Sequence, residues 1–183
     1  MWVLALLAVA AVASVFIAGC LAVQGPAGAA VPEKFPTDRE RAFDWRTITL
    51  RDVTTGANFT VEDFRGVPVL IQTFTVWCPI CTSQQQEVMR LREGGVDFRF
   101  VALDIDPNED EAIVRDHLAR NNLSGYYAVA PLEMTASLIR DFGSDIITPS
   151  SAPVVLVCPA GDAIHLPSGV KEAASLKRAI SGC

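Results

Sequence analysis

Two cysteines, Cys78 and Cys81, stand in the run Trp77-Cys78-Pro79-Ile80-Cys81, between a dense apolar stretch and a segment that reads as a helix. A pair at this spacing closes a small disulfide with little backbone movement, so it can cycle between dithiol and disulfide instead of only stapling the chain. Pro79 suits the first helical position, where no N–H bond is needed, and this puts Cys78 at the helix start. There the unpaired N–H groups and the positive end of the helix dipole stabilise a thiolate, lowering the thiol pKa from about 8.5 to roughly 3.5–7.5. The thiolate is the form that attacks another disulfide. The chemistry expected is therefore thiol–disulfide exchange. Cys78 is the exposed nucleophile that captures a substrate protein, and the more buried Cys81 resolves the mixed disulfide. Trp77 shields the pair from one side, and Pro79 and Ile80 tune its potential. The two sulfurs carry the electrons, so no cofactor is expected.

Other chemistries use similar residues. An inert disulfide or half of a zinc site needs the same pair, but zinc takes four ligands, and Cys158, Cys183, His117 and His165 lack the spacing to complete one. No metal is expected, and both histidines read as solvated. Thr75-Val76-Trp77-Cys78 matches the Thr-x-x-Cys of peroxiredoxins, although Ile71 stands where that motif wants proline. A thiol peroxidase is thus the enzymatic alternative, and a redox-inert binding module the non-enzymatic one. Asp104, Asp106, Asn108 and Asp110 alternate like the start of a calcium loop. Glu109 replaces its glycine and Arg115 its closing glutamate, so a polar strand-to-helix turn is the better reading.

The chain begins with nineteen residues, Met1 to Gly19, that carry no charge and are nearly all apolar. Ile17-Ala18-Gly19-Cys20 then resembles a bacterial lipobox, in which Cys20 is acylated. A plain transmembrane anchor is the alternative. Both readings place the folded part outside the cytoplasm, tethered to the membrane. Residues 1–20 are read as this leader, 21–45 as a Pro- and Gly-containing linker, and 46–183 as one domain. Five cysteines suit an oxidising compartment. A net charge of −6 with no basic patch argues against nucleic acid, and a monomer is expected.

The elements that must hold the motif follow from periodicity. Thr47–Leu50 and Asn58–Val61 read as a hairpin around Thr54-Thr55-Gly56. Val67–Thr75, dense and β-branched, reads as a strand buried on both faces. A helix runs from Pro79 to about Arg92, stopping at Gly94-Gly95. Strands follow at Phe98–Ile105 and Tyr126–Ala130, with helices after an Asn108/Glu111 cap and at Glu133–Phe142. Val154–Val157 and Ala163–Leu166 form a closing hairpin, and Lys171–Ile180 a last helix. Alternating strands and helices imply an α/β fold, its mixed, mostly parallel sheet flanked by helices.

In this element order the motif resembles the thioredoxin superfamily, and is most similar to the membrane-tethered TlpA/ResA branch of thiol-disulfide oxidoreductases. The resemblance spans roughly Phe43 to Ile180. It rests on Asp63-Phe64-Arg65-Gly66-Val67-Pro68-Val69-Leu70, the Cys78–Cys81 motif and Ser151-Ala152-Pro153-Val154, and the strand and helix between Gly125 and Phe142 are similar to that branch's central insertion. It implies a cis bond at Pro153 beside the disulfide, with Ala152 shaping substrate access. It implies an extracytoplasmic reductant of protein disulfides, with apocytochrome c among the candidate clients and a membrane protein supplying electrons.

Two positions depart from the resemblance. Gln72 stands where thioredoxin has a buried Asp, and Gln84 where the branch commonly has a Glu. Neither can accept the proton of a buried thiol, so Glu87 or water is left to do so. Cys158 and Cys183 are close enough in this topology for a bridge, whose loop of about 25 residues is worth on the order of 3 kcal/mol. One buried and one frayed free thiol is the other reading.

Overall fold

The computed structural model describes residues 44–183. The expected leader, Cys20 and nearly all of the linker lie outside the described residues. In chain order the elements are β1 (Leu50–Arg51), β2 (Asn58–Phe59), β3 (Val69–Phe74), α1 (Pro79–Glu93), β4 (Arg99–Asp104), α2 (Glu111–Asn121), β5 (Tyr126–Val129), α3 (Leu132–Phe142), β6 (Val154–Val157), β7 (Ala163–His165) and α4 (Ala173–Ser181).

Strand β3 is central: all six of its residues are buried, the polar Gln72 and Thr73 among them. It pairs in parallel with β4 and antiparallel with β6, giving the order β5-β4-β3-β6-β7. Four strands run one way and β6 the other. Side chains alternate across the sheet, so Leu70 and Phe74 face α1, α2 and α4 with Phe100, Tyr127 and Leu156. Val69 and Ile71 face α3 and the N-terminal segment with Val101, Leu103, Met134 and Leu138. Fully burying one such side chain contributes about 1.5–3 kcal/mol.

The β1–β2 hairpin lies against the sheet's β5 edge, where Val53 N–H donates to the Tyr127 carbonyl at 2.8 Å. Covering an edge in this way removes a template for pairing with another chain. Trp45, fully buried, ties the N-terminal segment to α3 by donating its amide to Ser137 Oγ (3.1 Å) and its indole N–H to Asp141 (2.9 Å). Gly125 enters β5 at φ 144°, and a Cβ there would lie 3.1 Å from the Phe100 carbonyl. Its absence lets β5 approach β4.

Two local expectations are corrected. The N-cap of α2 is Asp110, whose carboxylate accepts from Ala112 and Ile113 N–H (2.8 and 2.9 Å). Asn108 instead turns back on Asp106. The last helix begins at Ala173, not Lys171, because Lys171 is held out of it by backbone bonds to α1 described below.

Candidate active site

Strand β3 delivers the chain into a tight turn, Cys78 N–H donating to the Thr75 carbonyl at 3.2 Å, and α1 starts at once. Cys78 is the N-cap (φ −90°, ψ 104°) and Pro79 the first helical residue. The Cys81 amide, one of the N–H groups that a helix start leaves without an intrahelical partner, donates to Cys78 Sγ at 3.2 Å. The two sulfurs are joined, with Cα atoms 5.3 Å apart. On reduction the same N–H and the helix dipole favour negative charge on Cys78 over Cys81.

The sulfurs are more enclosed than expected. Cys78, read as an exposed nucleophile, is 3% exposed and Cys81 0%. Both belong to the core cluster between β3 and α1, because the Cys78 side chain turns inward to cap the helix. The rim about the motif is open: Trp77 is 65% exposed, Ile80 43%, and Pro79 is exposed. Trp77 donates its indole N–H to Asp106 at 2.7 Å. That bond and those from Asn108 hold the Asp106 carboxyl below its ordinary range.

A trans peptide joins Ala152 to Pro153; among the described residues no peptide is cis. The chain reverses instead through a 3₁₀ turn at Pro149–Ser151 that ends with Ala152 in the left-handed region (φ 47°, ψ 57°). That turn meets the motif, for Cys81 Sγ lies 3.3 Å from the Pro149 carbonyl. Ala152 is 0% exposed, so its methyl group does not line a surface that a substrate could reach, and Pro153 is buried beside it.

The residues considered for proton handling have other partners. Gln72, fully buried, donates Nε2–H to the Cys81 carbonyl (3.1 Å), and its Oε1 has no partner. Gln84 clasps the backbone of Lys171 from both sides, accepting its N–H (2.6 Å) and donating to its carbonyl (3.1 Å). Glu87 accepts the Ala173 N–H (3.0 Å) at the start of α4 and pairs with Arg90. Gln84 and Glu87 thus join α1 to the start of α4 and to the segment just before it. Lys171 closes the ring: its ammonium donates to the Ala152 carbonyl, and burial pushes it down to about 8.

His117, expected in solvent, is 2% exposed. It packs on Phe74, ring centroids 5.7 Å apart, and sits between Gln85 Oε1 (2.9 Å from Nε2) and Asn121 Nδ2 (3.2 Å from Nδ1). The amide can only donate and the carbonyl only accept, so the ring is neutral with its proton on Nε2. Burial pushes it below the usual histidine range. Above it lies an open groove of about 520 Å³ lined by Trp77, Pro79, Thr82 and Arg120. His165, on the edge strand β7, is half-buried. Cys158, at the end of β6, is bonded to Cys183, with Cα atoms 5.3 Å apart.

Sequence reasoning missed Lys171, Glu109 and the burial of His117. In the sequence the acidic run from Asp104 reads only as a polar strand-to-helix turn. Its real signal is a carboxylate, Asp104, at the buried end of an apolar strand. Among the described residues no group of three or more His, Cys, Asp or Glu could hold a metal.

No protein-family model and no curated protein matches the chain. Solved structures do. A secreted Mycobacterium tuberculosis disulfide oxidoreductase homologous to Escherichia coli DsbE superimposes with TM-score 0.59 at 16% identity, over 74% of this chain and 96% of that one. A thiol:disulfide interchange protein of the thioredoxin family from Chlorobium tepidum gives 0.59 at 18%, over 74% and 91%. The exposed lipoprotein thioredoxin of Streptococcus pneumoniae gives 0.57 at 17%, over 74% and 98%. At such identities the likeness is one of architecture. With a mixed five-stranded sheet and a Cys-x-x-Cys opening the helix after its central strand, the chain has the thioredoxin fold.

Proposed function

We propose that this protein is an extracytoplasmic thiol-disulfide oxidoreductase that reduces disulfides of other proteins. The observation that carries the reading is the Cys81 N–H directed at Cys78 Sγ at the start of α1. In the reduced state Cys78 thiolate attacks one sulfur of a substrate disulfide, and the other leaves as a thiolate. Cys81, having given up its proton, attacks Cys78 Sγ and displaces the second substrate sulfur. Two electrons pass to the substrate, and the Cys78–Cys81 disulfide remains for a dithiol donor to reduce. Proton transfer from Cys81 falls to water or to a group that approaches only in the mixed disulfide, since Gln84 is committed to the Lys171 backbone and Glu87 to the start of α4.

The enclosure of Cys78 sets a condition on this reading. Substrate engages the open rim of Trp77, Pro79 and Ile80 first, and the sulfur is uncovered as it docks. The apolar leader and lipobox support a membrane-tethered, extracytoplasmic site. So do two structural relatives, one a secreted disulfide oxidoreductase and one an exposed lipoprotein thioredoxin. A membrane electron donor and an apocytochrome c client belong to the same proposal. C78S is expected to abolish reduction of insulin disulfides, and C81S to trap a mixed disulfide through Cys78. Insulin reduction that survives C78S rules the mechanism out. One observation favours a peroxidase reading: the Thr75 hydroxyl is buried and has no partner. Peroxide consumption by reduced protein, with a sulfenic acid at Cys78 in C81S, would select it.

A further inference from the structure

Three bonds in succession lay the segment 166–171 along the turn that meets Cys81. Leu166 N–H donates to the Val154 carbonyl (2.9 Å), Gly169 N–H to the Ser151 carbonyl (2.8 Å), and the Lys171 ammonium to the Ala152 carbonyl. On the other side Gln84, three residues past Cys81 on α1, holds both the N–H and the carbonyl of Lys171. Ala152 N–H in turn donates to the Pro149 carbonyl (2.9 Å), the same oxygen that lies 3.3 Å from Cys81 Sγ. A carbonyl oxygen has two lone pairs and can take both. A circuit of hydrogen bonds thus leaves Cys81 along α1 and returns to its sulfur through Lys171, Ala152 and Pro149. The approach to Cys78 is held separately: Glu109 accepts the Val76 N–H with both oxygens, at 2.9 and 3.2 Å.

We propose that Lys171 is a positioning residue for the redox pair: by fixing Ala152 it holds the Pro149 carbonyl against Cys81, where that oxygen receives the thiol proton of the dithiol state and raises the reduction potential. Ala152 is the link that needs holding. It is fully buried and sits at φ 47°, ψ 57°, a region unfavourable to a residue with a Cβ and kept only where the surroundings fix it. Reduction by a dithiol donor delivers two electrons and breaks the Cys78–Cys81 bond. It leaves a thiolate on Cys78 and, with one proton taken up, a thiol on Cys81. A carbonyl only accepts, so it stabilises Cys81 as the thiol, and neither as a thiolate nor as a disulfide sulfur. The contact therefore favours the dithiol over the disulfide, and a stabilised reduced form means a higher potential. It also keeps the proton on Cys81 while Cys78 carries the charge.

This deepens the oxidoreductase reading and rests on it for the exchange itself. The test uses the full-length chain at pH 7, where Lys171 is protonated, and two readouts. The first is the equilibrium of the Cys78–Cys81 pair with dithiothreitol redox buffers, read by alkylation and mass. K171M, which keeps the apolar stem and removes the donor, is expected to move it roughly three- to tenfold toward the disulfide, or about 15–30 mV. K171R keeps a cationic donor and stays closer to wild type. The second is the infrared S–H stretch of Cys81, isolated as the difference between C78S and C78S/C81S. It is expected at lower frequency than that of a simple thiol in hydrocarbon, and to rise in C78S/K171M. K171M with wild-type equilibrium and an unshifted stretch, however unstable, shows a structural role alone and overturns the proposal. K171R behaving as K171M does overturns the assignment to the ammonium. If K171M does not fold, C78S itself decides, because a free S–H there overturns the contact with Pro149. Insulin reduction by wild type tests the oxidoreductase reading separately, since the S–H stretch does not depend on any client.

Discussion

Gln84 is where a structural role and a proton-handling role predict opposite outcomes. The side chain is fully buried, and both its polar atoms are spent on the backbone of Lys171, itself 9% exposed. Gln84→Ala strands that N–H and that carbonyl in the interior. Each unsatisfied buried group costs about 1–3 kcal/mol, so the pair costs about 2–6 kcal/mol, the lower end applying if water enters the vacated space. Against a typical total of about 5–15 kcal/mol this is a large fraction. Urea unfolding under oxidising conditions, followed by the fluorescence of buried Trp45, measures the loss. Gln84→Glu adds a second signature, because an ionised carboxylate faces the Lys171 carbonyl with no donor. Its folded-state pKa is raised, so the deficit is smallest at acid pH, where the carboxyl donates, and grows as pH rises through that pKa. Should Q84A unfold within about 0.5 kcal/mol of wild type, the size of an ordinary surface change, the clamp has been misjudged. Faster disulfide exchange in Q84E at unchanged stability would return the residue to proton transfer.

Two further outcomes follow. Replacing Cys158 and Cys183 together by serine opens a loop with a sequence separation of 25, which costs about 3 kcal/mol in the chain-entropy model; urea unfolding of oxidised protein checks this, and no loss would mean that the bridge adds nothing in solution. His117 is neutral when folded, with its pKa below the ordinary 6.5, so the stability it confers is complete above that value and drains away as pH falls through it. Wild type should therefore lose up to about 2 kcal/mol relative to H117Q between about pH 7 and about pH 5; a flat difference refutes the neutral, buried ring. The comparison must be with H117Q, because Asp104 imposes the opposite slope on wild type: it binds its proton more tightly when folded, and stability declines between about pH 4 and about pH 8.

What could be read along the chain was local. The β-branched run that became β3, the proline that opens α1 and the glycines that close it act through backbone preference and burial period within a few residues, and the elements appeared within three residues of their expected ends. The same locality placed Cys78 at a helix start. Partners far apart in sequence were not legible. A glutamine three residues past Cys81 looked like a lost proton carrier until folding set it against Lys171, 87 residues on. His117 sits among charged neighbours on α2, and only the helix's rotation against Phe74 turns it inward. Composition alone made Asp104 one acid among several. The sheet made it a buried one beside Glu109, because desolvation and proximity are properties of packing, which no short stretch of residues encodes.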